Sequence, residues 1–168
     1  MSVDARTIDA IRTTILGSLV GQTLTGTGSP VMTVVLVAAD DYWDPGVGPY
    51  SCTDGGVVVN YIVGTPSSTK HNFTTSSQGA IQRVWNHRYQ IQVTADISAC
   101  PSAALTVNLL SMLRQIVNLV EAAMEPLPSA SVSYNMAWSP MRGPKRHPTN
   151  DGLCLFDLEL TVTEGWAR

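Results

Sequence analysis

Charge is what this sequence has least of. Asp, Glu, Lys and Arg together make up 14% of its 168 residues, where a soluble domain ordinarily carries roughly a quarter. Ser, Thr, Asn, Gln and Gly fill the gap, while apolar residues stay at an ordinary 44%. A free monomer keeps itself soluble with charge, whereas the cores of protein interfaces are depleted in it. The deficit therefore points to a subunit whose faces are covered by neighbours. The balance is slightly acidic, 13 Asp and Glu against 10 Lys and Arg, so the domain as a whole lacks the positive field of a nucleic-acid binder.

Other absences narrow the reading further. Cysteine occurs three times, at Cys52, Cys100 and Cys154; the number is odd and the spacing is not CxxC. A disulfide framework and a zinc site are disfavoured, and reduced, buried thiols in the cytosol are expected. No uninterrupted run of 18 apolar residues occurs, so no membrane span and no membrane partner is expected. The opening "MSVDARTIDAIRTT" places acids and arginines where a signal peptide needs an apolar stretch. The glycine-rich nucleotide motifs, HExxH and GxSxG are all missing. His71, His87 and His147 have no metal-ligand spacing. Asp40, Asp41, Asp44 and Asp54 lack the spacing and closing Glu of a calcium loop. "NFT" at 72–74 matches the glycosylation pattern, but without a secretory signal chance explains it. Asp157 and Glu159 share a strand face and read as solvated acids rather than a catalytic pair. No catalytic residue, cofactor or metal is expected, and the chain does not read as an enzyme.

What is present is a clear alternation of periodicities. Ile8, Ile11, Ile15 and Leu19 recur at helical spacing over residues 4–20, with Asp4 as a cap and Gly21 as the stop. "GQTLTGTGSP" reads as a loop, and "VMTVVLVAA" (31–39) as a buried strand. "VVVNYIVG" is a second short strand. From Val84 to Ile97 the alternation is strict: Trp85, His87, Tyr89, Ile91, Val93, Ala95 and Ile97 share one face, and Val84, Asn86, Arg88, Gln90, Gln92, Thr94 and Asp96 the other. Because its rings lie on the apolar face and Arg88 on the opposite one, this strand reads as core rather than as a base-stacking platform. His87 accordingly reads as a core or rim histidine.

The strongest helix follows, opening at Pro101 and ending before Pro126. Asn108, Ser111, Gln115, Asn118, Glu121 and Glu125 form a narrow polar stripe, and nearly everything else is apolar. Such a helix is buried on more than one side. One face is expected on the sheet and the other against the first helix or a neighbouring subunit, with Leu109, Met112, Ile116 and Leu119 as candidate interface residues. Two alternating strands finish the chain. In the first, Val132, Tyr134, Met136 and Trp138 share a face; in the second, Cys154, Phe156, Leu158, Leu160 and Val162 face the core. The fold expected is α+β, a single domain over residues 1–168. It has a mostly antiparallel sheet, a long apolar helix on one face and an N-terminal helix. Long loops fall near 40–56, 64–80 and 140–152.

The last of these loops, "MRGPKRHPTNDG" (Met141–Gly152), concentrates Arg142, Lys145, Arg146 and His147. Its "GP", "HP" and "DG" pairs are turn chemistry, so it reads as a hairpin tip. A nuclear address is disfavoured, because only Lys145 and Arg146 are adjacent. A solvated turn, a docking tip for an acidic surface, and a nucleic-acid-binding module built on the loop and sheet all remain open.

The order of elements resembles the tail terminator (tail completion) proteins of long-tailed bacteriophages. The carriers are "IDAIRTTIL" as opening helix and "NHRYQIQVTAD" as the strand leading into "AALTVNLLSMLRQIVNLVEAAM". The final strand "GLCLFDLELTVTEGW" ends in an aromatic. The resemblance covers most of the chain. It implies a homo-oligomer, a hexameric ring in the virion tail or neck, assembled in the host cytoplasm. Its partners would be the tail tube protein and the head-connector (stopper) protein. The loops at 40–56 and 64–80 are long for that family, which leaves another neck, connector or minor tail role open. Under this resemblance the basic loop contacts an adjacent ring or, unspecifically, DNA in the lumen.

Overall fold

Helix α1 (Ala5–Leu19) buries Ile11, Ile15 and Leu19 on one stripe. It ends where Gly21 takes φ 82°, a left-handed conformation that glycine adopts without a Cβ penalty. The computed structural model describes residues 5–38, 55–66, 83–98, 100–125, 132–139, 145–146 and 152–166. The Asp4 cap, the acidic loop, "NFT", and nearly all of 64–80 lie outside them.

The chain after α1 forms a small antiparallel ribbon, β1 (Thr23–Thr25) with β2 (Thr33–Val35). The sequence reading of "GQTLTGTGSP" as a loop misses β1. The expected buried strand at 31–39 is corrected as well. It divides into β2 and β3 (Val37–Ala38), and it is buried on one side only: Met32, Val34 and Leu36 are inside, Val31, Val35 and Val37 outside. Strong β-branching does not distinguish a two-sided strand from one that lies on the surface as a ribbon.

The main sheet runs β3–β4–β5–β8–β6, with β7 also paired to β8. Its members are β4 (Gly56–Pro66), β5 (Arg83–Asp96), β6 (Val132–Trp138), β7 (Lys145–Arg146) and β8 (Leu153–Trp166). Every pairing is antiparallel except β3 with β4. The fold is thus α+β with a mixed, mostly antiparallel sheet. On β5, His87, Tyr89, Ile91, Val93 and Ala95 are buried, and on β8 Cys154, Leu158, Leu160 and Val162 are too. Both strands have the register expected from their alternation.

Helix α2 (Ser102–Met124) buries Leu109, Met112, Leu113, Ile116, Val120 and Met124 into the same cluster as α1 and the sheet. By length and composition it is the one described helix apolar enough to cross a membrane. The criterion of an unbroken apolar run missed this, because Asn108, Ser111, Gln115 and Asn118 interrupt the run without lowering its average much. In this fold α2 packs in the core.

Candidate functional site

The basic loop is the first candidate. Arg142 and His147 lie outside the described residues. Lys145 and Arg146 do not sit at a tip: as β7 they pair with Leu155 and Cys154 along the same side of β8 that carries β6. This corrects the hairpin-tip reading of Met141–Gly152. The arm of the hairpin continues past Trp138, which pairs with Leu160, through Ser139, whose N–H donates to the Glu159 carbonyl at 2.9 Å. The basic pair therefore belongs to a strand with a fixed backbone. The turn-forming residues "GP" and "HP" flank this strand, so composition alone hid it.

The second candidate was the apolar face of α2, and it is corrected too. Leu109, Met112 and Ile116 are 2%, 0% and 0% exposed, and Leu119 is partly buried against the same core. Leu109, Met112 and Ile116 stabilise the chain's own fold and are closed to a neighbour, while Leu119 keeps part of its surface outside. The polar stripe is not a simple solvent face. Asn108 is fully buried. Its Oδ1 accepts the N–H groups of Gly28 (3.0 Å) and Met32 (3.1 Å), and its Nδ2 donates to the carbonyls of Pro30 and Ala104, both at 3.0 Å. A Cβ on Gly26 would collide with the Asn108 side chain, and one on Gly28 would also come to 2.6 Å from the Ala104 carbonyl. Those two glycines let the ribbon's turn close over the asparagine. The stripe is where the ribbon is fastened.

Solvent instead meets Val107 and Leu110 on α2, at 47% and 43% exposure, and the outer valines of the ribbon, Val31 and Val35, at 57% and 55%. Ile62 and Val63 are exposed where β4 bulges against β5. Single exposed apolar groups are ordinary on a protein surface; a contiguous patch of them marks a surface that becomes covered.

The face of the sheet turned away from the helices is polar, and its charges are engaged locally. Arg88 Nε donates to Glu159 Oε1 at 2.8 Å, and its Nη2 lies 2.6 Å from the same oxygen. Gln92 Nε2 donates to Asp157 Oδ1 at 3.0 Å, and Thr163 Oγ1 to Asn86 Oδ1 at 2.8 Å. Asp157 and Glu159 thus bind different side chains. Gln92 and Thr94 are buried even on this face.

His87, at 1% exposure, sits in the core with its Nδ1 3.3 Å from the Tyr61 hydroxyl. Tyr61 packs on Tyr89, whose hydroxyl donates to the Ile8 carbonyl at 3.1 Å. Burial pushes the Tyr61 phenol above its ordinary pKa. Among the described residues no group of three or more His, Cys, Asp or Glu is placed to hold a metal ion. Cys154 is a buried thiol and Cys100 a half-buried one. No protein-family model matches this chain, and a search of curated proteins finds no match either.

Proposed function

We propose that this protein is a structural subunit that self-assembles, in the manner of a phage tail terminator: a hexameric ring that caps the tail tube and joins it to the head connector. The observation that carries the reading is the shortage of charge. Only 14% of the residues are charged, which suits a subunit whose faces are covered in an assembly, because the cores of interfaces are depleted in charge. The order helix, strands, long helix, terminal hairpin supports the terminator type within that class. The partners are the tube protein on one side and the connector on the other. Lys145 and Arg146 are placed by β7 beside the hairpin turn, where they contact an acidic ring or lumenal phosphates.

The test is to mix the purified protein with tail tubes from the same source and image them by electron microscopy. A ring at one end of each tube is the expected result. Tubes that remain bare at both ends, at saturating protein, contradict the reading.

A further inference from the structure

We propose that the outer edge of β6 pairs with the β6 edge of a second copy of this chain, antiparallel and centred on Asn135, so that the sheet continues across the two molecules. Edge strands present unpaired backbone groups, and folded proteins block the ones they do not use. The other long edge is blocked here. Along β4, β3 covers Gly56 and Val57, Arg12 Nε donates to the Val59 carbonyl at 2.8 Å, a bulge follows between Tyr61 and Val63, and the strand ends at Pro66. The β1 edge is blocked by the side-chain amide of Gln115, which binds both backbone groups of Thr25. Strand β6 carries no such device. Its sequence "VSYNMAW" contains no charge, proline or glycine, and among the described residues nothing pairs with its outer side.

The ladder fixes which groups are on offer. Ser139 donates to Glu159, its register partner, so Ser133, Asn135 and Ala137 also turn their backbone groups toward β8. Val132, Tyr134, Met136 and Trp138 therefore turn theirs outward. A two-fold axis at Asn135 sets Val132 opposite Trp138 and Tyr134 opposite Met136, so every outward group finds a partner. Asn135 then faces its own copy in a non-hydrogen-bonded pair, where side chains approach most closely. With no charge on the strand, self-pairing brings no like charges together. This is why a second copy fits the edge. An isologous contact of this kind closes at two molecules, so it is separate from the contacts that close a ring.

Asn135 is exposed, so Asn135→Lys and Asn135→Glu leave the monomer folded, as far-UV circular dichroism and an unchanged melting transition verify. Native mass spectrometry of wild type is expected to show two-fold species, with the outward amides of Tyr134, Met136 and Trp138 protected from hydrogen exchange as concentration rises. Each variant alone opposes like charges and weakens this pairing by up to about fivefold, while an equimolar mixture of the two restores it. Three results each overturn the proposal. These are unprotected Tyr134, Met136 and Trp138 amides in the wild type, an Asn135→Lys variant that pairs as the wild type does, and a mixture that fails to recombine. Rings with unprotected β6 amides retain the terminator reading and remove this one. Two-fold pairs without rings do the reverse.

Discussion

Gln115 pairs with Thr25 as a neighbouring strand would. Its Nε2 donates to the Thr25 carbonyl at 2.6 Å, and its Oε1 accepts the Thr25 N–H at 3.1 Å. A side-chain amide has the donor and acceptor of a peptide group in the same plane, so one residue of α2 closes the edge of the ribbon. Gln115→Glu replaces the donor with an anionic oxygen facing the carbonyl. The expected loss is about 1–3 kcal/mol, read as faster hydrogen exchange in residues 23–25 and 33–35, while the amides of β5 keep their protection. Uniform destabilisation of both regions contradicts this local role.

Asn108 is the deeper fastening. Asn108→Ala leaves the N–H groups of Gly28 and Met32 and the carbonyl of Pro30 without their partner inside the fold. Each such loss costs about 1–3 kcal/mol, so urea denaturation is expected to show one of the largest single-site effects in the chain. Asn118→Ala, at an exposed position of the same helix, is expected within about 0.5 kcal/mol of wild type. Equal midpoints for the two variants contradict the assignment.

Gly17 offers the opposite sign. It lies inside α1, is exposed, and a Cβ there meets nothing within 4 Å. Gly17→Ala is expected to raise stability by about 0.5–1 kcal/mol, because the unfolded chain loses freedom that the helix does not need. A lower denaturation midpoint contradicts it.

Asp96 closes the turn between β5 and α2. Its carboxylate accepts the hydroxyl of Ser98 at 2.6 Å and the Ser98 N–H at 2.8 Å, and these two bonds, the hydroxyl first, hold its pKa below the ordinary carboxylate value. Because the folded pKa is depressed, the stabilisation is present above the unfolded pKa and is lost as pH falls through the folded one. Carboxyl carbon shifts in NMR titrations are expected to place Asp96 below an unstructured aspartate, and Ser98→Ala to move it back up. An unmoved titration in that variant contradicts the cause.

The triple change Arg142→Ala, Lys145→Ala and Arg146→Ala tests the basic loop. The β7 pairing uses backbone atoms, so folding is expected to stay within about 0.5 kcal/mol for each substitution. Head-to-tail joining is expected to fall, and DNA retention by the assembly to lose salt sensitivity. Normal yields of joined particles contradict a docking role.

The elements legible in the sequence were those whose periodicity matched a one-sided burial. Strand β5 alternates from His87 to Ala95, and α1 repeats Ile11, Ile15 and Leu19, so their faces could be assigned from spacing alone. Where polar residues do structural work, the pattern misled. Asn108, Ser111 and Gln115 read only as a narrow polar stripe, because nothing in a linear pattern shows that a glycine-rich turn 80 residues away needs hydrogen-bond partners. Leu109, Met112 and Ile116 are core rather than interface, because both roles share the same apolar spacing. The ribbon lies on the polar stripe, while Leu109, Met112 and Ile116 turn inward and Val107 and Leu110 remain outside. The Lys145–Arg146 strand was hidden because Pro and Gly around it are turn residues, whereas pairing to β8 is set by the hairpin's geometry.

The central claim is self-assembly into a closed ring, and mass in solution tests it most directly. Sedimentation velocity and native mass spectrometry, run from dilute to concentrated protein and again with tail tubes, are expected to show a species of six copies of the 18.0 kDa chain. Asn135→Lys is expected to weaken the β6 pairing and to leave that ring in place. A monomer at every concentration, alone and with tail tubes, contradicts the account.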